Sequence, residues 1–352
     1  MRFKTSSPPG WQLAALLGLL LASCAAHAQI EWRISVKFIL GPSGQRPSAN
    51  AGYGASSVFL TNDAAVIANI AQSNEWLDRN CRGYRFRLTE IQNVSGWSGF
   101  FNVSARDGGN KSALEAVATS NATTRTQFHW RDNAINVYIN NSSSGYCSFP
   151  GDGSVIFAGA TAYDALIIHE VGHFFSLAHT HNTEQFRNAN GTPCSDGCGC
   201  AQKIGGDDGI ADTLLDNECW DRVALEAGNP GASEFQLDNT FLNIMSYHLP
   251  QDRFTTLQLD RIADTSNNAR FNVASGRTRF VDRNCFTLFP SGGSECSVFS
   301  GPHSTVGGGV AAATAGSDIV LIRSGTYIEP GTINKAVTLR ATRGSVTIGN
   351  PN

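Results

Sequence analysis

The sequence predicts an α/β protein followed by a β-rich C-terminal segment, and three observations lead there. Strand, helix, strand and strand periodicities succeed one another between Ile30 and Ile139. An apolar stretch then carries His169, Glu170 and His173 on a helical period. Past about Arg277 the chain turns to short Gly-, Val- and Thr-rich runs.

The elements follow in order. Arg2 and Lys4 precede an apolar run from Trp11 to Leu21, which ends in small residues and Ala26-His27-Ala28 before Gln29. Residues 1–28 therefore read as a secretory signal peptide, and the apolar run is too short to span a bilayer. Leu21-Ala22-Ser23-Cys24 also resembles a bacterial lipobox, so the alternative to free secretion is a lipid anchor on Cys24. Strand-like sequence begins soon after Gln29, which leaves little room for an N-terminal propeptide. Ile30 to Phe38 alternates apolar and polar side chains as a half-buried strand does. Asn62 to Leu77 carries a helical period through Val66, Ile67, Ile70 and Trp76. Tyr84 to Ile91 and Ala134 to Ile139 are further strands, and Thr161 to about Leu177 reads as an apolar helix. In the tail, Asp318–Ile322, Gly325–Ile328, Ala336–Leu339 and Val346–Ile348 look like the opening rungs of a parallel β-helix. So short a stack is either packed onto the preceding part or incomplete.

Composition narrows the function. Net charge is only −3 with 16% charged residues, which gives no reason to expect nucleic acid or an anionic membrane as partner. Cys24 aside, eight of the nine cysteines remain to pair. In an exported chain an even set favours disulfides, with local bridges inside the loop that runs from Cys194 to Cys219, their connectivity open, and another from Cys285 to Cys296. The competing reading is a zinc knuckle of Cys194, Cys198, Cys200 and Cys219.

The chemistry centres on residues 169–181, HEVGHFFSLAHTH. Histidines four apart share one helix face, so His169 and His173 can present both imidazoles to one ion. Glu170 lies beside them, placed to hold a water without being a ligand. His179 can reach the same ion only if the helix ends and the chain reverses between the two. Three neutral imidazoles and a water make the open tetrahedron expected of catalytic zinc. A Met-turn pattern, Asn243-Ile244-Met245-Ser246-Tyr247, follows downstream. Taken singly, Met245 reads as a core filler and Tyr247 as a packed aromatic. His181 is off the motif spacing, a glutamate third ligand such as Glu184 or Glu218 is displaced by His179, and His129, His248 and His303 read as surface or structural.

With these motifs the sequence resembles the pappalysin family of metzincin metalloproteases. The resemblance runs from about Ile30 to Phe271 and includes Gly209-Ile210-Ala211-Asp212-Thr213, Phe254-Thr255-x-x-Gln258-x-x-Arg261, and Gly145 to Pro150 as the cleft's upper rim. It implies a metzincin fold over residues 29–276: a twisted, mostly parallel sheet, an active-site helix, and a loop-rich subdomain with the Met-turn, ahead of the β-rich segment 277–352. It further implies a secreted zinc endopeptidase acting on proteins or peptides. His169, His173 and His179 would bind zinc, Glu170 would act as general base, Met245 would underlie the metal, and Tyr247 would bind it or stabilise the tetrahedral intermediate. Asp207, Asp208 and Asp212 could hold calcium, as relatives do there or nearby, or could be capping aspartates of a solvated turn. A different reading makes the chain a surface protein whose β-helix segment binds cell-surface polysaccharide beside an inactive protease site. Ser176 departs from the family, which has glycine where the helix breaks. A left-handed serine costs roughly 1 kcal/mol more than glycine, enough to strain the turn without abolishing the site.

Overall fold

The structure, a computed structural model, describes residues 30–48, 57–80, 82–283, 302–329, 331–342 and 344–349. The expected signal peptide, the lipobox cysteine, Cys81 and the expected Cys285 to Cys296 bridge lie outside the described residues.

Chain order gives β1 (Ile30–Ile39), β2 (Ser57–Phe59), α1 (Asp63–Asp78), β3 (Tyr84–Val94), α2 (Gly108–Thr119), α3 (Ala122–Gln127), β4 (Ile135–Ser143), β5 (Gly145–Cys147) and β6 (Val155–Tyr163). The second half runs α4 (Leu166–Phe174), β7 (Gln185–Arg187), β8 (Gln202–Ile204), α5 (Arg222–Gly228), α6 (Glu234–Phe241) and α7 (Thr256–Asn267). The tail adds β9 (Thr278–Val281), α8 (Val306–Ala312), β10 (Ile319–Ile322), β11 (Gly325–Tyr327), β12 (Thr338–Ala341) and β13 (Val346–Ile348).

The expected α/β architecture is present. The main sheet runs β2-β6-β4-β1-β3, with β1 parallel to β3 and β4, and β4 parallel to β6. β2 and β5 pair with β6 antiparallel, at different residues along it. Parallel strands covered on both faces need apolar side chains on both, and β4 and β6 are buried along almost their whole length. Successive residues accordingly serve different cores. Val137 and Ile139 join the core beneath α1 and α4, whereas Tyr138 joins the one beneath α2 and α3.

One sequence expectation is corrected. The helix expected from Thr161 begins at Leu166, and Thr161 to Tyr163 complete β6 by pairing with β2. An unbroken apolar run has no period that separates a buried strand from a buried helix, so pairing partners decide. The helix expected from Asn62 does form, with the Asn62 side chain accepting the Ala65 N–H at 3.0 Å as its N-cap.

In the tail, β9, β10 and β12 stack in parallel, and β11 pairs with β13 in parallel. This segment packs onto the rest of the chain. Phe280, Ile319 and Leu321 belong to the main core, while Val281, Val320 and Ile322 face a smaller one with Val306 and Tyr327. Polar bonds follow the same contact: Tyr84 and Thr278 share a hydroxyl hydrogen bond at 2.9 Å.

Candidate active site

Nine buried residues make up α4, and they carry His169, Glu170 and His173. The helix ends in a Schellman arrangement: Leu177 N–H donates to Gly172 O at 2.9 Å and Ser176 N–H to His173 O at 2.9 Å. Ser176 takes the left-handed conformation, φ +72°, and turns the chain so that His179 comes back over the helix. His179 Nε2 then lies 3.2 Å from His169 Nε2 and 3.0 Å from His173 Nε2.

The outer nitrogens explain why the two helix histidines turn inward. His169 Nδ1 sits 2.6 Å from Ile244 O, and His173 Nδ1 sits 2.7 Å from Leu177 O. A carbonyl can only accept, so each Nδ1 must be the donor and each neutral ring turns a lone pair inward at Nε2. His179 Nε2 can donate to one of them at most. At least one inward lone pair is therefore left that a cation would satisfy, and the His169 and His173 rings are already oriented by the carbonyls. Burial favours the neutral, ligating form. It holds His169 well below its ordinary value and His173 at about 4, and it depresses His179 as well, helped by the neighbouring imidazoles.

Glu170 is buried and its Oε2 lacks a hydrogen-bond partner. Desolvation raises its pKa to about 8. A divalent cation among the imidazoles would draw that value back down. Gly145 lies against the carboxylate: a Cβ there would stand 2.9 Å from Glu170 Oε1, so β5 approaches only because it has no side chain at that point.

Met245 is wholly buried beneath α4. A Cβ on Gly172 would come within 2.3 Å of its Sδ, which accounts for glycine inside the helix. The turn is held by Asn243, whose Oδ1 accepts the Met245 N–H at 2.8 Å and the Gln258 amide at 3.1 Å. Gln258 in turn closes a capping box with Thr255 at the start of α7. Tyr247 leaves the turn toward the histidines, its ring centroid 4.7 Å from that of His179, with 42% of the residue exposed.

His169, Glu170, His173, His179, Gly145 and Tyr247 line a cleft of about 530 Å³. Its walls include Phe149, within the rim segment expected from the sequence, Glu218, and Arg106, which the sequence reading missed. Phe149 packs 5.1 Å from His173, centroid to centroid. Local pattern could not have found Arg106, since tertiary folding alone brings it to the cleft.

The structure does not bring the three calcium candidates together. Asp212 accepts from Thr255 Oγ1 at 2.6 Å and from Leu257 N–H at 2.9 Å, so it caps α7. Asp207 and Asp208 accept the Gly209 and Ile210 N–H groups within their own turn, and Asp208 also accepts Thr213 Oγ1. Among the described residues the three carboxylates form no common ligand cluster, which leaves the calcium reading without support. Nearby Asp216, wholly buried, binds Thr180 Oγ1 at 2.5 Å and His248 Nε2 at 2.8 Å, and so anchors the residue next to His179. His248 is thus structural.

The zinc-knuckle alternative is also excluded, because Cys194 is bonded to Cys200 and Cys198 to Cys219. Cys147, expected to pair, is a free buried thiol.

No family model matches the chain, and no curated protein matches it. Among solved structures, mature mirolysin of Tannerella forsythia in complex with a cleaved peptide is similar at 15% identity and TM-score 0.41, over 70% of this chain and 96% of that one. A promirolysin mutant from the same organism is similar at 14% identity and TM-score 0.41, over 75% and 91%. A likeness this slight carries no functional weight, which rests on the site itself.

Proposed function

We propose that this protein is a zinc-dependent endopeptidase, with His169, His173 and His179 as ligands and Glu170 as general base. The observation that carries this reading is the convergence of three Nε2 atoms, two of which, on His169 and His173, are fixed as acceptors by the carbonyls that hold their Nδ1 atoms. Three nitrogens with an open side toward a cleft match the ligand set of catalytic rather than structural zinc. When bound there, zinc would act as a Lewis acid and lower the pKa of a water to near 7.

The remaining steps belong to the chain's own residues. Glu170, with Oε2 unpartnered in the cleft, takes a proton from the attacking water and returns it to the leaving amine. Tyr247 is placed beside His179 to donate its hydroxyl proton to the developing oxyanion. Met245, buried against Gly172 of the same helix, gives the histidines an apolar floor. Two disulfides are consistent with export to an oxidising compartment.

Metal removal tests the reading. Cleavage of a protein substrate such as casein should stop after exhaustive chelation, return on addition of Zn²⁺, and not return in His173→Ala. Cleavage that is indifferent to chelation would defeat the zinc mechanism.

A further inference from the structure

The fourth histidine of the segment leads to a second site. His181 stacks on His179 with ring centroids 4.9 Å apart and planes inclined by only 6°. Imidazole lone pairs lie in the plane of the ring, so an ion held in the plane of His179 lies off the plane of His181. His181 therefore cannot share the triad's ion in good geometry. Yet the residue is only 5% exposed, and its Nδ1 is buried without a hydrogen-bond partner. Leaving a buried donor or acceptor unpartnered is unfavourable, so something else should satisfy it.

The neighbours supply the answer. Ligand atoms of His181, Glu184 and Glu218 all lie within 4.8 Å of one another. Glu184 Oε2 accepts the Glu218 N–H at 2.8 Å, which orients that carboxylate as outer partners orient metal ligands. Among the described residues neither glutamate forms a salt bridge with a lysine or arginine that would otherwise balance the pair. The positions are also stiff. Glu184 N–H donates to His181 O at 3.1 Å across a turn in which Thr183 takes φ +67°, and Glu218 adjoins the Cys198–Cys219 bridge.

We propose that His181, Glu184 and Glu218 form a second divalent-cation site beside the cleft, which Glu218 lines, separate from the histidine triad. One imidazole and two carboxylates suit Zn²⁺ or Mn²⁺, whereas Ca²⁺ and Mg²⁺ favour oxygen ligands throughout. An ion there ties the turn after His179 to the disulfide-anchored loop that brings Glu218 to the cleft. It is a fastening of the cleft wall and takes no part in the hydrolytic steps.

Zinc counting on full-length protein tests this directly. Samples are stripped with chelator, reloaded with Zn²⁺ alone, desalted and analysed by plasma mass spectrometry, with circular dichroism to confirm folding. The wild type should hold one zinc more per chain than the Glu184→Gln/Glu218→Gln double variant. His173→Ala should keep one zinc that disappears when the two glutamine substitutions are added. A wild type with one ion and a double variant with none would still support this site while removing the triad's. Equal zinc content in wild type and double variant would overturn the proposal. So would complete displacement of the second zinc by a hundredfold excess of Ca²⁺.

Discussion

Ser176 shows how far a single position can be read. Its left-handed conformation, φ +72°, follows from the need to return His179 to the helix, and a residue with a Cβ is strained there. Ser176→Gly should raise stability toward denaturant by about 1 kcal/mol while leaving zinc content unchanged. An unchanged or lower midpoint would mean that the serine is held by compensating contacts. This position was legible because motif spacing forced the reversal within a few residues. Gly172 and Gly145 were not, since what they make room for, Met245 and the Glu170 carboxylate, arrives from elements far away in sequence.

At the level of elements, periodicity placed the half-buried elements and the short strand β4, but it could not place the boundary between a buried strand and the buried helix after it. α1 and β3 were legible in this way, but β6, buried nearly throughout, was taken in part for the following helix. β9 also went unnoticed, because four residues acquire meaning only by stacking on β10. One prediction concerns how β3 is held. Arg131 donates from Nε and Nη2 to the two Glu90 oxygens, each at 2.6 Å, and Ser35 on β1 donates to Glu90 at 2.7 Å. The Arg131 hydrogen bonds hold the Glu90 pKa at about 2, against an ordinary 4.5. A depressed carboxylate contributes stability above its unfolded pKa and loses it as pH falls through the folded one. Stability should therefore decline between about pH 4.5 and 2, and Glu90→Gln should flatten that decline in pH-resolved urea melts. The exposure of Arg131 screens the pair, so the effect should be modest. An identical profile in both proteins would contradict the assignment.

For the molecule as a whole, the β-rich tail contributes to the core of the part that carries the site. Ile319 and Leu321 are fully buried in the main core beside Phe280. Burial of each aliphatic side chain is worth about 1.5–3 kcal/mol, a large share of a typical domain's 5–15 kcal/mol. Deleting residues 302–352 should therefore lower the urea midpoint sharply, and an unchanged midpoint would show that the tail is dispensable. The residues proposed as catalytic were legible because a local motif carries them, whereas the cleft walls and the second cation site depend on the tertiary fold. The central claim concerns Glu170 and the three histidines together. Its most direct test is Glu170→Gln, with peptide cleavage and bound zinc measured on the same sample. In that variant kcat should fall roughly a hundredfold to ten-thousandfold with zinc content unchanged. Cleavage at the wild-type rate in Glu170→Gln would contradict it.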